Sequence, residues 1–526
     1  MPYYLPSELK YKICSNLNRA DDKFTLEELK NVSLDWHMAT MGYLFGCISN
    51  KDQFYAREGY TANYYKCNPN DIKKHYQMVK TISIEDYRGG QIPPEAQKWL
   101  MNYPNLKYVE INSPCKNSSY VRDIMHQNQQ ISSLCLSEAI EYGLHSFADY
   151  GKLDKLKSLK IRDSFIRIRI FDILDCYPAL EELDVSTHDP LVIESAEVNS
   201  SDQIKTYPNL KSLKIEFKAP QEHNQFLSLK SIQRAFPNLQ TLGYLTTESV
   251  GLPMKEPQRP GEVFILDSPF IGLTTHQFKY LTKLSLLYLT EYSAKLIGLY
   301  MPSLEHLIIH GFSIMDKKWM TKGYQYLLTK SNLLSLKTLI FDFDGYGNED
   351  LNIEIFKVSP YERPLEKLSA SNVISVNLPA ITYLGLGTLN LNPRILFVLE
   401  QFPVLEKLSI KFDSFDGIET LIHSHHIPSV HILEVRLSSM IQDVHKFPLL
   451  LNIFPNVKVV RVFGLYNQFI NLLKEKFEDV VFIRDDEDLY YPKRIYYPPS
   501  VNSFNNYNNM MINFTSAFDS LRNSLI

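Results

Sequence analysis

No stretch of this 526-residue chain is long and apolar enough to suggest a membrane span. Its longest apolar run, Leu281–Met301, is interrupted by Lys283, Glu291 and Lys295. Nor is there a basic surplus of the kind a nucleic-acid partner requires: 55 Lys and Arg stand against 59 Asp and Glu, for a net charge of −4. The six cysteines (Cys14, Cys47, Cys67, Cys115, Cys135 and Cys176) include no pair at C-x-x-C spacing, so zinc and thiol-redox motifs are missing. The first residues, MPYYLPSELKYKIC, carry Lys and Glu where a secretory leader needs an apolar run. Together these absences predict a soluble chain with reduced thiols, in the cytoplasm and/or the nucleus, with neither a membrane nor a nucleic acid as partner. N-x-S/T sequons such as Asn117–Ser119 carry no weight without secretion.

What the chain does have is a recurring phrase: an aromatic or apolar residue, proline, one spacer, then L-x-x-L-x-[L/I/V]. It reads YPNLKYVEI at Tyr103–Ile111, YPALEELDV at Tyr177–Val185, YPNLKSLKI at Tyr207–Ile215 and FPNLQTLGY at Phe236–Tyr244. It returns at Met301–Ile309, Leu378–Leu386, Phe402–Ile410, Ile427–Val435 and Phe454–Val462, with proline-free copies between. The first apolar residues of the copies are Val79, Leu106, Ile131, Leu156, Leu180, Leu210, Leu239, Leu281, Leu304, Leu336, Leu365, Ile381, Leu405, Val430 and Val457. Most successive origins lie 23–32 residues apart. The long interval after Leu239 holds GLPMKEPQRPGE and reads as a loop inserted near 246–275. The interval between Leu365 and Ile381 is too short for a full unit, so one of those two starts a truncated repeat.

In L-x-x-L-x-L the last two apolar residues are two apart and share one face of a strand. Between phrases the period moves towards helical spacing, as in Ile166, Ile170, Ile173 and Leu174, or Phe469, Leu472, Leu473 and Phe477. One short strand and one helical or irregular return per 20–29 residues predicts a solenoid with a parallel sheet on its inner side. The pattern resembles the leucine-rich-repeat family over roughly Val79–Ile483. It departs at the place where that family usually carries Asn or Cys after the phrase, here Ser164, His188 and Phe312.

Ahead of the repeats, Leu9, Ile13 and Leu17 recur every four residues behind Leu5-Pro6-Ser7-Glu8, the stripe and first turn of a helix. Thr25 with Glu28 opens a second helix as a capping box, and Val32 and Trp36 extend its apolar face. The set Leu5, Pro6, Glu8, Leu9, Ile13, Leu17, Val32 and Trp36 resembles the F-box. Cys14 replaces a common Leu, and the link between helices is about two residues longer than in that family. This resemblance implies docking on the small adaptor subunit of a cullin–RING ubiquitin ligase through Leu5, Pro6, Leu9, Ile13, Leu17, Val32 and Trp36. It implies no cofactor and no catalytic residue.

SLKTLIFDFDGYG at Ser335–Gly347 resembles the first motif of the haloacid-dehalogenase phosphatases, with Asp342 as nucleophile and Asp344 as acid. Tyr346 breaks that motif, and Leu336, Leu339 and Phe341 already form a repeat phrase. As a calcium loop the segment lacks the required ligands, with Tyr346 and Ile353 where oxygen donors must stand. His423, His425, His426 and His431 read as a polar helix end and strand rather than a metal site, because no carboxylate or thiol completes the set. After Ile483 come DDED, a Tyr/Pro-rich stretch and Asn-rich sequence, read as a draped or disordered tail with a final amphipathic stretch at Phe514, Phe518, Leu521 and Leu525.

The expected fold is therefore α/β: an F-box-like helical module over 1–50, a linker or cap over 51–78, a leucine-rich-repeat horseshoe over 79–483, and a tail over 484–526. The expected function is a non-catalytic substrate-recognition subunit of an SCF-type ubiquitin ligase, with a protein-interaction scaffold as the alternative and the phosphatase a distant third. The x residues of each strand alternate away from the leucines and would line the concave surface, facing an unidentified target protein. They are Lys160 and Arg162; Glu182 and Asp184; Lys214 and Glu216; His306 and His310; Asp342 and Asp344; Lys407 and Lys411; Glu434 and Arg436. Read strand by strand their signs alternate, which predicts no uniform groove and a target of mixed charge.

Overall fold

The structure is a computed structural model. It describes residues 47–49, 77, 79–85, 103–112, 126–137, 153–164, 170–187, 205–217, 229–246, 278–286, 289–312, 317–344, 374–389, 393–412, 415, 418–422, 425–437, 444–463 and 467–484, at some of them the backbone alone. Of the helical module read over 1–50, only Cys47–Ser49 is described, and it is a strand rather than helix; Leu5, Pro6, Leu9, Ile13, Leu17, Val32 and Trp36 lie outside the described residues, as do the insertion and the tail. The chain divides into two compact units: Met1–Leu227 with Ser231–Gly251, and Ser228–Lys230 with Leu252–Ile526.

In the first unit the strands are β1 (Cys47–Ser49), β2 (Thr81–Glu85), β3 (Tyr108–Asn112), β4 (Ser133–Ser137), β5 (Ser158–Ser164), β6 (Glu182–Thr187), β7 (Ser212–Phe217) and β8 (Thr241–Thr246). Each pairs in parallel with the next in chain order. The second unit repeats the plan with β9 (Lys283–Leu286), β10 (His306–Phe312), β11 (Thr338–Asp344), β12 (Tyr383–Leu389), β13 (Lys407–Phe412), β14 (Ile432–Leu437), β15 (Val459–Phe463) and β16 (Val481–Arg484). One parallel strand per repeat, laid down in sequence order, is the arrangement of a leucine-rich-repeat solenoid, which each unit resembles.

The phrase explains the ladder. In most of the proline copies the carbonyl before proline accepts from the amide three residues on, as in Leu180 N to Tyr177 O (3.1 Å) and Leu405 N to Phe402 O (3.3 Å). Proline is thus the second residue of a β-turn, where its fixed φ is suited and its missing N–H goes unused. The residue after the first leucine then offers its carbonyl to two amides of the next repeat: Lys157 O accepts from Glu181 N and Glu182 N at 2.8 and 2.9 Å. Lys107, Ser132, Glu181, Glu305, Lys337 and Glu406 do the same. Asparagine in the spacer position adds a side-chain clamp, donating from Nδ2 to the proline carbonyl one repeat earlier: Asn209 to Pro178 (3.0 Å), Asn238 to Pro208 (2.9 Å) and Asn456 to Pro428 (3.0 Å). The repeats therefore do have asparagine bridges, placed before the strand rather than after it.

Every described phrase origin is buried, and so are the strand leucines that follow, such as Leu159, Ile161, Leu183, Val185, Leu408 and Ile410. Each such side chain contributes about 1.5–3 kcal/mol relative to exposure. The aromatic before proline joins the same core; Tyr103, Tyr177, Phe236, Phe402 and Phe454 are all buried. Helices back the strands as their spacing predicts. α1 (Ile170–Cys176) buries Ile170, Ile173 and Leu174. α2 (Leu229–Ala235), α3 (Glu291–Tyr300), α4 (Lys317–Lys330), α5 (Pro393–Leu399), α6 (Ile418–Leu421), α7 (Leu449–Ile453) and α8 (Asn467–Lys476) fill other returns. In α8 it is Phe469, Ile470 and Leu473 that are buried, with Leu472 and Phe477 only partly so.

Two details differ from the sequence reading. β11 pairs directly with β12, Thr338 beside Tyr383, so the strand that follows Leu336's belongs to the phrase beginning at Ile381; Leu365 lies outside the described residues. The ladder also extends past both ends of the phrase list, with Cys47–Ser49 paired to β2 and Val481–Arg484 paired to β15.

Candidate protein-docking face

With leucines turned to the core, the alternate strand residues form rows on the opposite, open face. In the first unit Cys135, Lys160, Asp184, Lys214 and Gly243 stand side by side on β4 to β8. Lys160, Asp184 and Lys214 are half-buried, Glu182 and Arg162 exposed, and Glu216 half-buried beside Ser186. The structure brings Lys160, Asp184 and Lys214 together as neighbours, with charges alternating along the row. The stem of Lys214 leans across Gly243, where a Cβ would meet its Cγ at 2.9 Å. The row's first member, Cys135, is 3% exposed; burial above all, then Cys135 and Glu110, pushes the neighbouring Tyr108 hydroxyl's pKa up.

A second charged row runs along the turns just before the strands. Glu181 takes Lys157 on one oxygen and Lys211 on the other, each at 2.7 Å. Those two hydrogen bonds hold its carboxyl down at about 2. All three side chains are solvated, so the bridges contribute little at physiological salt.

In the second unit His306 lies between Lys283 and Thr338, half-buried. Burial first, and then Lys283, lowers its pKa, so it is neutral at pH 7. His310 stands beside Asp342, and Phe312 beside Asp344, on the paired strands β10 and β11. These two aspartates lie on an ordinary ladder strand whose Leu339 and Phe341 are buried. His425 is 4% exposed, bonded through Nδ1 to Glu400 Oε1 (3.0 Å) and edge-on to Phe397. His431 Nδ1 bonds to Ser429 O (2.7 Å), so these histidines are satisfied within the fold. Among the described residues no group of His, Cys, Asp or Glu is placed to hold a metal ion, and no helix is long and apolar enough to cross a membrane.

The most organised part of the face spans β12 to β15. Glu434 is 7% exposed. Its Oε1 receives Lys407 Nζ at 2.8 Å and an Arg461 terminal nitrogen at 3.3 Å, while Tyr383 donates its hydroxyl to Oε2 at 3.1 Å. Lys407 Nζ also sits 4.1 Å from the centre of the Tyr383 ring, and Arg436 lies over Phe463 at 5.3 Å. Burial, followed by the charge of Glu434, raises the Tyr383 pKa. Lys407, Glu434 and Arg436 are anticipated by the strand pattern; Lys411 joins them by register, beside Arg436. Arg461, Tyr383 and Phe463 are not anticipated. Aligning FPNVKVVRV against IPSVHILEV, phrase on phrase, puts Arg461 beside Glu434 and would have found it.

No family model matches this chain, and a search of curated proteins likewise finds no match. Among solved structures it is similar to the crystal structure of the leucine-rich repeat domain of APL1B, at 11% identity and a TM-score of 0.26, over 74% of this chain and 83% of that one. A likeness so distant adds nothing to what the ladder itself shows.

Proposed function

We propose that this chain is a non-catalytic substrate-recognition subunit of an SCF-type ubiquitin ligase. The helices read ahead of Cys47 dock on the adaptor subunit, and the open face of the strand ladder holds the target protein. Two things support the reading. One is the F-box-like spacing of Leu5, Pro6, Leu9, Ile13, Leu17, Val32 and Trp36. The other, which carries the protein-binding part on its own, is a face of half-buried polar and charged side chains standing in rows opposite the leucine core. Rows of that kind suit an extended contact with a macromolecule better than the enclosure of a small substrate. The mechanism is proximity: one end anchors the chain, the ladder holds the target, and ubiquitin transfer falls to other subunits, gaining from effective concentration.

Co-purification of the full chain with the adaptor tests the ligase role. The wild type should bring the adaptor down, and the Leu9→Asp/Ile13→Asp double variant should lose it. A wild-type chain that captures protein targets but no adaptor is a scaffold. A phosphatase activity abolished by Asp342→Asn would replace both readings. Charge reversal at Lys160, Arg162 and Lys214 should weaken target capture and leave the adaptor complex intact.

A further inference from the structure

Read by sign alone, β13 to β15 look mixed, because Glu434 stands among Lys407, Arg436 and Arg461. The structure changes that count. Glu434 is nearly buried and both its oxygens are engaged, whereas the side chains of Lys407 and Arg461 are 27% and 44% exposed. Arg436 has no carboxylate partner among the described residues; its guanidinium lies over Phe463. Two cations thus hold one withdrawn carboxylate, a third, Arg436, stands two positions along the same strand, and what reaches solvent is positive. Glu434 is a positioning residue: it fixes the Lys407 and Arg461 heads in place and lowers the repulsion between them.

The cations are set up for carboxylates. Arg461 uses one terminal nitrogen on Glu434, which leaves further donors of its planar fork for a second acceptor. The Arg436 guanidinium carbon lies over the Phe463 ring, 5.3 Å from its centre, a cation–π contact that occupies no hydrogen-bond acceptor. Beside them the face turns apolar. Val481 and Ile483 on β16 are 57% and 38% exposed and stand in register with Val459 and Arg461.

We propose that the open face of β12 to β16 is a docking surface for an acidic peptide segment of a partner protein, one whose carboxylates alternate with apolar residues. This rests on the reading of the open face as the target-binding side and specifies the partner's chemistry there. A patch of three cations with an apolar rim fits carboxylates interleaved with hydrophobic side chains; a nucleic acid needs a longer cationic track.

The test uses the full chain and a labelled peptide of alternating glutamate and leucine, with glutamine-for-glutamate and lysine-for-glutamate versions as controls, read by fluorescence anisotropy. The glutamate peptide should bind about tenfold more tightly than the glutamine one, the effect of losing one or two charged hydrogen bonds. Arg436→Gln/Arg461→Gln should remove that preference, and Lys160→Glu/Lys214→Glu should not. Equal binding of the peptides, or a preference that survives in Arg436→Gln/Arg461→Gln, overturns the proposal. Tighter binding of a single-stranded oligonucleotide than of the glutamate peptide also overturns it. So does a large gain in peptide affinity on neutralising Asp485, Asp486, Glu487 and Asp488, which would make the chain's own acidic stretch the occupant. If the Lys160/Lys214 variant alone loses target capture, this surface is wrong and the open-face reading stands. If neither variant affects capture, both fall.

Discussion

Two glycines on neighbouring helices should respond to the same substitution with opposite signs. Gly298 lies in the last turns of α3, and a Cβ built there finds its nearest atoms at 3.7 Å, ordinary van der Waals distance. Gly298→Ala should therefore gain helix propensity unopposed, about 0.5–1 kcal/mol. Gly323 lies inside α4, buried against the start of α3. A Cβ there would meet the carbonyl oxygen of Leu289 in a severe clash and the carbonyl carbon of Thr290 at 2.7 Å. Those are backbone atoms held by a capping box: Ser293 N donates to Thr290 Oγ1 at 3.2 Å and Thr290 N to Ser293 Oγ at 2.9 Å. The helices must separate or the cap must break, costing about 1–3 kcal/mol for overpacking and ~1 kcal/mol for a lost cap. Propensity returns at most about 1 kcal/mol, so Gly323→Ala is net destabilising. A repeat ladder need not unfold in one step, so the direct readout is hydrogen exchange of peptides covering Glu291–Tyr300 and Lys317–Lys330. Protection should rise in Gly298→Ala and fall in Gly323→Ala. Equal or increased protection in Gly323→Ala would show that α3 and α4 are not packed this closely, and the reasoning would fail.

Three further outcomes follow from the geometry. Asn209→Ala and Asn238→Ala should each cost about 0.5–1.5 kcal/mol in thermal or denaturant unfolding, the value of one inter-repeat hydrogen bond. Asn209→Asp should be at least as damaging, because a carboxylate cannot donate to the Pro178 carbonyl. The phenols of Tyr108, Tyr177, Tyr207 and Tyr383 are raised by burial, and Tyr103 is raised to about 12. Native protein holds those protons more tightly than unfolded chain, so this stabilisation is intact below the unfolded value near 10 and lost as pH rises through the folded values. A near-ultraviolet absorbance titration should show a late class of tyrosines ionising together with unfolding.

Much of the ladder was legible because the phrase does one physical job in every copy. The origins at Leu156, Leu210, Leu304 and Leu405 are all buried without exception, and the period-2 alternation after them sends Lys160, Lys214 and Lys407 to the other face. Strands without a phrase escaped notice. Cys47–Ser49 is three residues long and has no leucine signature, so only its pairing with Thr81–Glu85 reveals it. The asparagine bridges stand before the strand, in the P-N-L of three phrases and the P-N-V of a fourth, and not after it, where Ser164 and Phe312 stand. Spacing alone leaves Leu365 and Ile381 as rival origins; register then places the phrase beginning at Ile381 beside that of Leu336.

The charged face shows where a one-dimensional reading stops. Sign alternation along the sequence is a statement about residues, while a partner responds to whatever charge remains exposed once the fold has paired some of it. Glu434 and Arg461 are separated by 27 residues, one repeat, and stand side by side on adjacent strands. Lys407 sits diagonally across from Glu434, on the strand before. A carboxylate held between cations from both neighbouring repeats no longer offers itself to a ligand. It fixes their positions instead. In a repeat ladder this follows directly from the period: a charge at one strand position meets its counterpart one repeat away, and the sign of the face is decided by which member of each pair is buried. On β4 to β8 Lys160, Asp184 and Lys214 all stay half-exposed and the face remains mixed. On β13 to β15 the acid is withdrawn and the face becomes cationic, so two stretches of similar composition present different surfaces to a partner.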